Sequence, residues 1–254
     1  MNEPSTDTSQ ILDAFTQRRD DLILVAVQQG LDPDAILNGA SLLSLACASE
    51  RWPLVRGLLV LGANPSGADK EDMAPLHWAI NKNTLPMATL LLEQGADIER
   101  KDRHYERSPL WNAAAKCGEA MVRMLVDRGA DLLSRDREGA YPLHGAVLYE
   151  NPSGARALAP LMTTVDVRDA QGITPLQLAI ALLEESAPDG PLPEIAAILR
   201  EHGANAEAEI VADEAFRRAQ YSRIVANMKA AAPGWEPSAE QIEAGFREMY
   251  PQAD

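Results

Sequence analysis

Positive charge is scarce in this chain. Only 23 Lys and Arg stand against 38 Asp and Glu, a net charge of −15. Phosphate backbones call for a basic face, so this deficit argues against a nucleic-acid partner. It also disfavours an anionic membrane surface, and it favours dispersion in water and attraction to basic partners. Cysteine is nearly absent. Cys47 and Cys117 make no metal-spaced pair, which fits a reducing, cytoplasmic setting. No apolar run reaches the roughly 18 residues that a membrane span needs. The first ten residues are polar and acidic and lack the basic start and apolar run of a signal peptide. Histidine is limited to His77, His104, His144 and His202, none beside a paired carboxylate or cysteine. Gly-x-Ser-x-Gly, Walker-type and Gly-x-Gly-x-x-Gly stretches are all missing. The expectation is a protein without catalytic residues, metal or cofactor.

What the chain has instead is a period. Met73-Ala-Pro-Leu-His-Trp-Ala79 has counterparts in Ser41-Leu-Leu-Ser-Leu-Ala46, Ser108-Pro-Leu-Trp-Asn-Ala113, Tyr141-Pro-Leu-His-Gly-Ala146 and Thr174-Pro-Leu-Gln-Leu-Ala179. Their cap positions are 41, 74, 108, 141 and 174, so the spacings are 33, 34, 33 and 33. A second marker keeps register: Gly62-Ala-Asn64, Gly95-Ala-Asp97, Gly129-Ala-Asp131 and Gly203-Ala-Asn205. Two markers in register at this period define a repeat array.

The residue types explain the unit. Ser108 or Thr174 can accept from a backbone N–H one turn on, as an N-cap does. Proline follows at the first helical position, where its missing N–H costs nothing. Leu76, Leu110, Leu143 and Leu176 then face a core, and Ala79, Ala113, Ala146 and Ala179 let helices approach. A glycine in the left-handed conformation ends the second helix. Asp69, Asp102, Asp136 and Asp169 open the turn into the next unit. One unit cannot bury its apolar face alone, so neighbours must stack.

These motifs resemble the ankyrin repeat, with its Thr-Pro-Leu-His-x-Ala and its later Gly-Ala-Asp/Asn. The resemblance implies an all-α solenoid of about six helix-turn-helix repeats, at 10–33, 34–67, 68–101, 102–135, 136–168 and 169–207. Residues 1–9 are expected to be a disordered tail, and 208–254 a helical C-terminal extension that either caps the array or binds a partner. Irregularities are legible too. Repeat one lacks the Thr-Pro-Leu-His equivalent. Repeat three has Ala74 at the cap. Repeat four has an extra turn residue and no turn glycine. Repeat five has Tyr141 at its cap and Met162-Thr-Thr164 in place of Gly-Ala-Asp. Repeat six has an insertion within 184–193, expected in a loop.

The family implies a concave face of turn tips and inner helices that binds another folded protein. On this chain its positions are Lys70, Glu71, Met73, Asn81 and Lys82 in repeat three; Arg103, His104, Tyr105, Arg107 and Lys116 in repeat four; and Arg137, Glu138 and Tyr149 in repeat five. Gln171 and Ile173 follow in repeat six, and Trp111, in place of the signature histidine, is expected to reach the same face. Tyr, Trp and Arg are the residue types of binding hot spots. The chain also resembles standalone ankyrin immunity proteins of bacterial toxin systems, which implies a monomer whose partner is a cognate toxin or enzyme. An adaptor joining two partners and a translocated effector that binds host proteins stand beside that role.

Overall fold

The computed structural model describes residues 8–69, 73–185 and 190–205, together with Ser238. Its helices come in pairs. In chain order they are α1 (Thr8–Thr16) and α2 (Asp20–Gln28), α3 (Leu42–Ala48) and α4 (Trp52–Val60), and α5 (Pro75–Asn81) and α6 (Leu85–Glu93). Then come α7 (Pro109–Lys116) and α8 (Glu119–Asp127), α9 (Pro142–Leu148) and α10 (Pro152–Leu158), and α11 (Pro175–Glu185) and α12 (Leu192–Glu201). First helices pack on first helices from α3 through α11, and α8, α10 and α12 form a second row. The protein is an all-α repeat solenoid. The only strands among the described residues are a two-residue pair, β1 (Ile36–Leu37) and β2 (Ala40–Ser41).

The caps differ from repeat to repeat, and the sequence says why. Ser41, Ser108 and Thr174 accept from the backbone N–H three residues on, at 3.1, 3.3 and 3.3 Å. Ala74 and Tyr141 have no such acceptor. There the histidine at the third helical position reaches back, and its Nδ1 accepts from the cap residue's own N–H, at 3.1 Å for His77 and 3.3 Å for His144. Gln177 does the same for Thr174 at 2.9 Å. Leu76, Leu110, Leu143 and Leu176 are buried in the core with the four alanines. Each such leucine contributes about 2 kcal/mol by leaving water.

Second helices end as expected at Gly62, Gly95, Gly129 and Gly203, with φ between +87° and +92°. Repeat five has no glycine there, and a 3-10 turn (Ala159–Leu161) carries the chain out instead. A side chain from the preceding loop holds the next marker residue's backbone N–H. Asp34 holds Asn64 at 2.7 Å, Ser66 holds Asp97 at 2.8 Å, Glu99 holds Asp131 at 2.8 Å, and Asp166 holds Asn205. Partial burial raises the Glu99 pKa, and the Asp131 N–H opposes that shift.

Two expectations are adjusted, and one feature is added. Helix α1 opens at Thr8, so Thr8 and Ser9 belong to the first pair rather than to a tail. The insertion of repeat six begins as helix, since α11 has 11 residues where α9 has 7. Leu182 and Leu183 pack on the core there, which is what prolongs it. The hairpin of repeat two is new: Asn38 (φ 52°) and Gly39 (φ 84°) make its turn, the left-handed pair that a two-residue hairpin needs. The terminal repeat is closed by Arg51, which is buried, pairs with Asp20, donates to the Phe15 carbonyl at 2.8 Å and lies over the Phe15 ring. The extension from 208, with Trp235, lies outside the described residues apart from Ser238.

Candidate partner-binding face

The turns between repeats are built on their opening aspartates. Asp136 Oδ1 accepts from the N–H of Glu138 at 3.0 Å and of Ala140 at 2.8 Å. Asp169 Oδ1 does the same for Gln171 and Ile173, both at 2.9 Å. Each turn closes with a backbone bond from the aspartate N–H, Asp136 to Ala140 and Asp169 to Ile173. In repeat four that bond runs from Asp102 to Arg107, one residue further, so the extra residue is absorbed inside the turn. The left-handed position that Gly139 and Gly172 fill elsewhere is taken by Glu106, at φ 54°.

The tips are tied to one another. The Arg137 N–H donates to the Tyr105 carbonyl at 2.7 Å, and the Ala170 N–H to the Glu138 carbonyl at 3.2 Å. Arg137 Nη2 donates to the Arg103 carbonyl at 2.7 Å, and Lys101 Nζ to the Arg135 carbonyl at 2.6 Å. Arg137 also lies 3.6 Å from Glu106. Three successive turns thus form one continuous edge.

Beneath that edge sits a cation held by rings. The Arg107 guanidinium carbon lies 3.7 Å from the Trp111 ring centroid, 4.3 Å from that of Tyr105 and 5.7 Å from that of Tyr149. Its Nη1 donates to Tyr149 Oη at 3.2 Å, and its Nε lies 3.7 Å from Asp136 Oδ2. Burial raises the Asp136 pKa, against the two turn N–H groups and Arg107, which lower it. Trp111 meets Tyr149 edge to face at 5.9 Å. The indole fits because Gly145 of the next repeat has no side chain: a Cβ there would stand 3.1 Å from the ring.

This geometry sorts the expected positions. Trp111 is 1% exposed and Arg107 7% exposed. Both are packed inside, where aromatic stacking and the Asp136 carboxylate hold them, so their role in the free chain is to support the face rather than to present a side chain on it. Arg103, His104, Tyr105, Lys116, Arg137, Glu138 and Tyr149 are exposed, as are Asn81 and Lys82, while Met73 is half-buried. In repeat six Gln171 is exposed and Ile173 buried. Lys82 is 3.5 Å from Glu50. Lys70 and Glu71 lie outside the described residues. Sequence reasoning missed Asp136 as the partner of Arg107 and Gly145 as the seat of Trp111. The Trp-for-His exchange beside a Gly one repeat later was the available signal.

The two buried histidines, His77 and His144, are structural. His144 Nδ1 is an acceptor and Nε2 donates to the Ile173 carbonyl at 2.9 Å. Burial lowers the pKa of both His77 and His144, and the carbonyls of Arg107 and Ile173 respectively oppose it. Burial also pushes the thiols up, to about 12 for Cys47 and about 11 for Cys117, so neither is a nucleophile at neutral pH. Among the described residues no group of His, Cys, Asp and Glu is arranged to hold a metal, and no helix is long and apolar enough to cross a membrane.

Stacked helix pairs with a tied edge of turns define a repeat-type protein-interaction module. The chain carries ankyrin repeats. Residues 14–102 match the family described as Ankyrin repeats (3 copies), and residues 105–137 match Ankyrin repeat. Beyond 137 the same helix pairs continue in α9 to α12. Among curated proteins the chain is 34% identical over 122 residues to the Putative palmitoyltransferase ZDHHC13 of Danio rerio, covering 48% of this chain and 19% of that protein. It is 33% identical over 131 residues to the human Ankyrin repeat and SOCS box protein 16, covering 51% and 29%. It is 30% identical over 172 residues to the mouse B-cell lymphoma 3 protein homolog, covering 63% and 37%. The chain therefore spans well under half the length of these relatives.

Proposed function

We propose that this chain is a non-catalytic, cytoplasmic protein-binding module that holds a folded partner on the turn-tip and inner-helix face of repeats three to five. The tied edge of repeats four to six, which takes in two of these three repeats, carries the reading. Tips locked to one another leave little conformational freedom to lose on binding. Tyr105 and Tyr149, 54% and 42% exposed, are the only aromatics among the large exposed hydrophobic side chains described. The resemblance to immunity proteins supports an inhibitor that occupies a toxin or enzyme. An adaptor or an effector would use the same face.

Affinity capture from native cytosol, with partners identified by mass spectrometry, tests it. The matched bait carries Tyr105→Ala and Tyr149→Ala. A stoichiometric partner held by the wild type and lost with that bait is the expected result, and its identity separates inhibitor, adaptor and effector. A partner retained by the altered bait overturns the choice of face.

A further inference from the structure

The Tyr149 ring carries two cations. Arg107 lies 5.7 Å from its centroid and Lys116 Nζ 5.4 Å. Among the described residues only Asp136 answers them, at 3.7 Å from Arg107 Nε, and its Oδ1 already accepts two backbone N–H groups. Lys116 is exposed and has no acid within ion-pair distance among the described residues. Two buried donors beside the rings, Arg107 Nε and Trp111 Nε1, have no hydrogen-bond acceptor. Cations and donors here outnumber the anions and acceptors that the described residues supply.

We propose that this spot seats an acidic side chain of the partner, its carboxylate on Lys116 and its carbon chain between Tyr105 and Tyr149. The inference rests on the protein-binding reading above. A carboxylate on Lys116 relieves the repulsion between two like charges sharing a ring. Exclusion of water by the flanking tyrosines strengthens the pair. A polyanion is a poor occupant, because the net charge of −15 repels it at longer range. A single Asp or Glu on an otherwise neutral or basic protein surface meets both conditions.

The probe is a random-peptide display library selected on the whole chain. The expected result is a family of peptides sharing one Asp or Glu. Exchanging that acid for its amide weakens binding about tenfold or more, the scale for one partner of a desolvated charge pair. Lys116→Glu in the chain weakens binding equally. Arg123→Glu, the same charge change on α8, leaves it unaltered. Lys116→Glu gives up the Tyr149 contact and sets an acid in the last turn of α7, so Lys116→Gln and the thermal unfolding curves of both variants separate lost binding from lost fold. Peptides lost with Tyr149→Ala but indifferent to the amide exchange overturn the acidic anchor and leave the protein-binding face standing. Peptides indifferent to Tyr105→Ala, Tyr149→Ala and Lys116→Glu overturn both. Failure to enrich any peptide overturns the acidic anchor, and the capture experiment then decides the face on its own.

Discussion

Arg107 donates from Nη1 to the hydroxyl of Tyr149, 42 positions away, at 3.2 Å. That bond crosses from the turn of repeat four to the end of the first helix of repeat five. Removing the arginine strands the Asp136 carboxylate in a buried site and opens a gap over Trp111. Arg107→Ala is expected to cost about 3–5 kcal/mol in chemical denaturation, the range for breaking a buried pair. Arg107→Lys keeps the charge and loses the planar stack, at about 2 kcal/mol. Unchanged denaturation midpoints in both variants would sink this account.

Acid should weaken the array through its buried histidines. His77 and His144 have pKa values lowered by burial. Above about pH 6.5 the histidine is neutral in both folded and unfolded chains, and its stabilising contribution is complete. Below that the unfolded chain takes a proton that the folded chain refuses. Stability then falls by about 1.4 kcal/mol per pH unit per histidine, until the folded pKa is reached. Asp136 acts oppositely: its raised pKa means that the folded chain takes up its proton first as pH falls. His144→Gln copies the Gln177 arrangement of repeat six and removes one titrating group. Urea unfolding at pH 7.5 and 5.5 should show a shallower acid loss for this variant. An equal loss in both proteins would refute the assignment.

Two helix glycines should respond differently to alanine. A Cβ at Gly154 would lie 2.1 Å from the Ala114 carbonyl oxygen, a backbone atom of α7. Gly154→Ala must push α10 away from α7, and about 3 kcal/mol or more is expected. A Cβ at Gly57 would meet the tip of the Leu24 side chain at 2.5 Å, and that tip can rotate away. Helix propensity then offsets most of the strain, so Gly57→Ala should change the melting temperature by only a degree or two, on the order of 0.5 kcal/mol. Equal effects from the two would show that the backbone contact is not limiting.

Glu106→Gly should stabilise the chain. Glu106 holds a left-handed conformation that costs a non-glycine residue about 1 kcal/mol. Its ion pair with Arg137 is exposed and contributes little. Differential scanning calorimetry should show a higher midpoint, and a lower one would mean that the Arg137 contact matters more than the backbone.

The repeat period, the caps at Ser41, Ser108 and Thr174, and the glycine helix ends could all be read from the sequence, because each depends on contacts within one unit. The site was only partly readable. Tyr105 and Tyr149 are exposed at the repeat positions where the sequence pattern places candidates for the face. The burial of Arg107 and Trp111 was not, because it depends on Asp136 and Gly145, which belong to the following unit. A periodic pattern reports what each repeat does for itself, and it is silent where one repeat is shaped to another.

That silence bears on whether the units can be exchanged. Trp111 is accommodated only by a following repeat with glycine at the matching place. The equivalents of Gly145 are Leu45, Trp78, Asn112 and Leu178. Deleting repeat five, or transposing it with repeat six, would set Leu178 against an indole that even a lone Cβ at this place would meet at 3.1 Å. The order of these two units is therefore fixed by shape. Shuffled or shortened versions of the array should keep their helices and fail at this one joint.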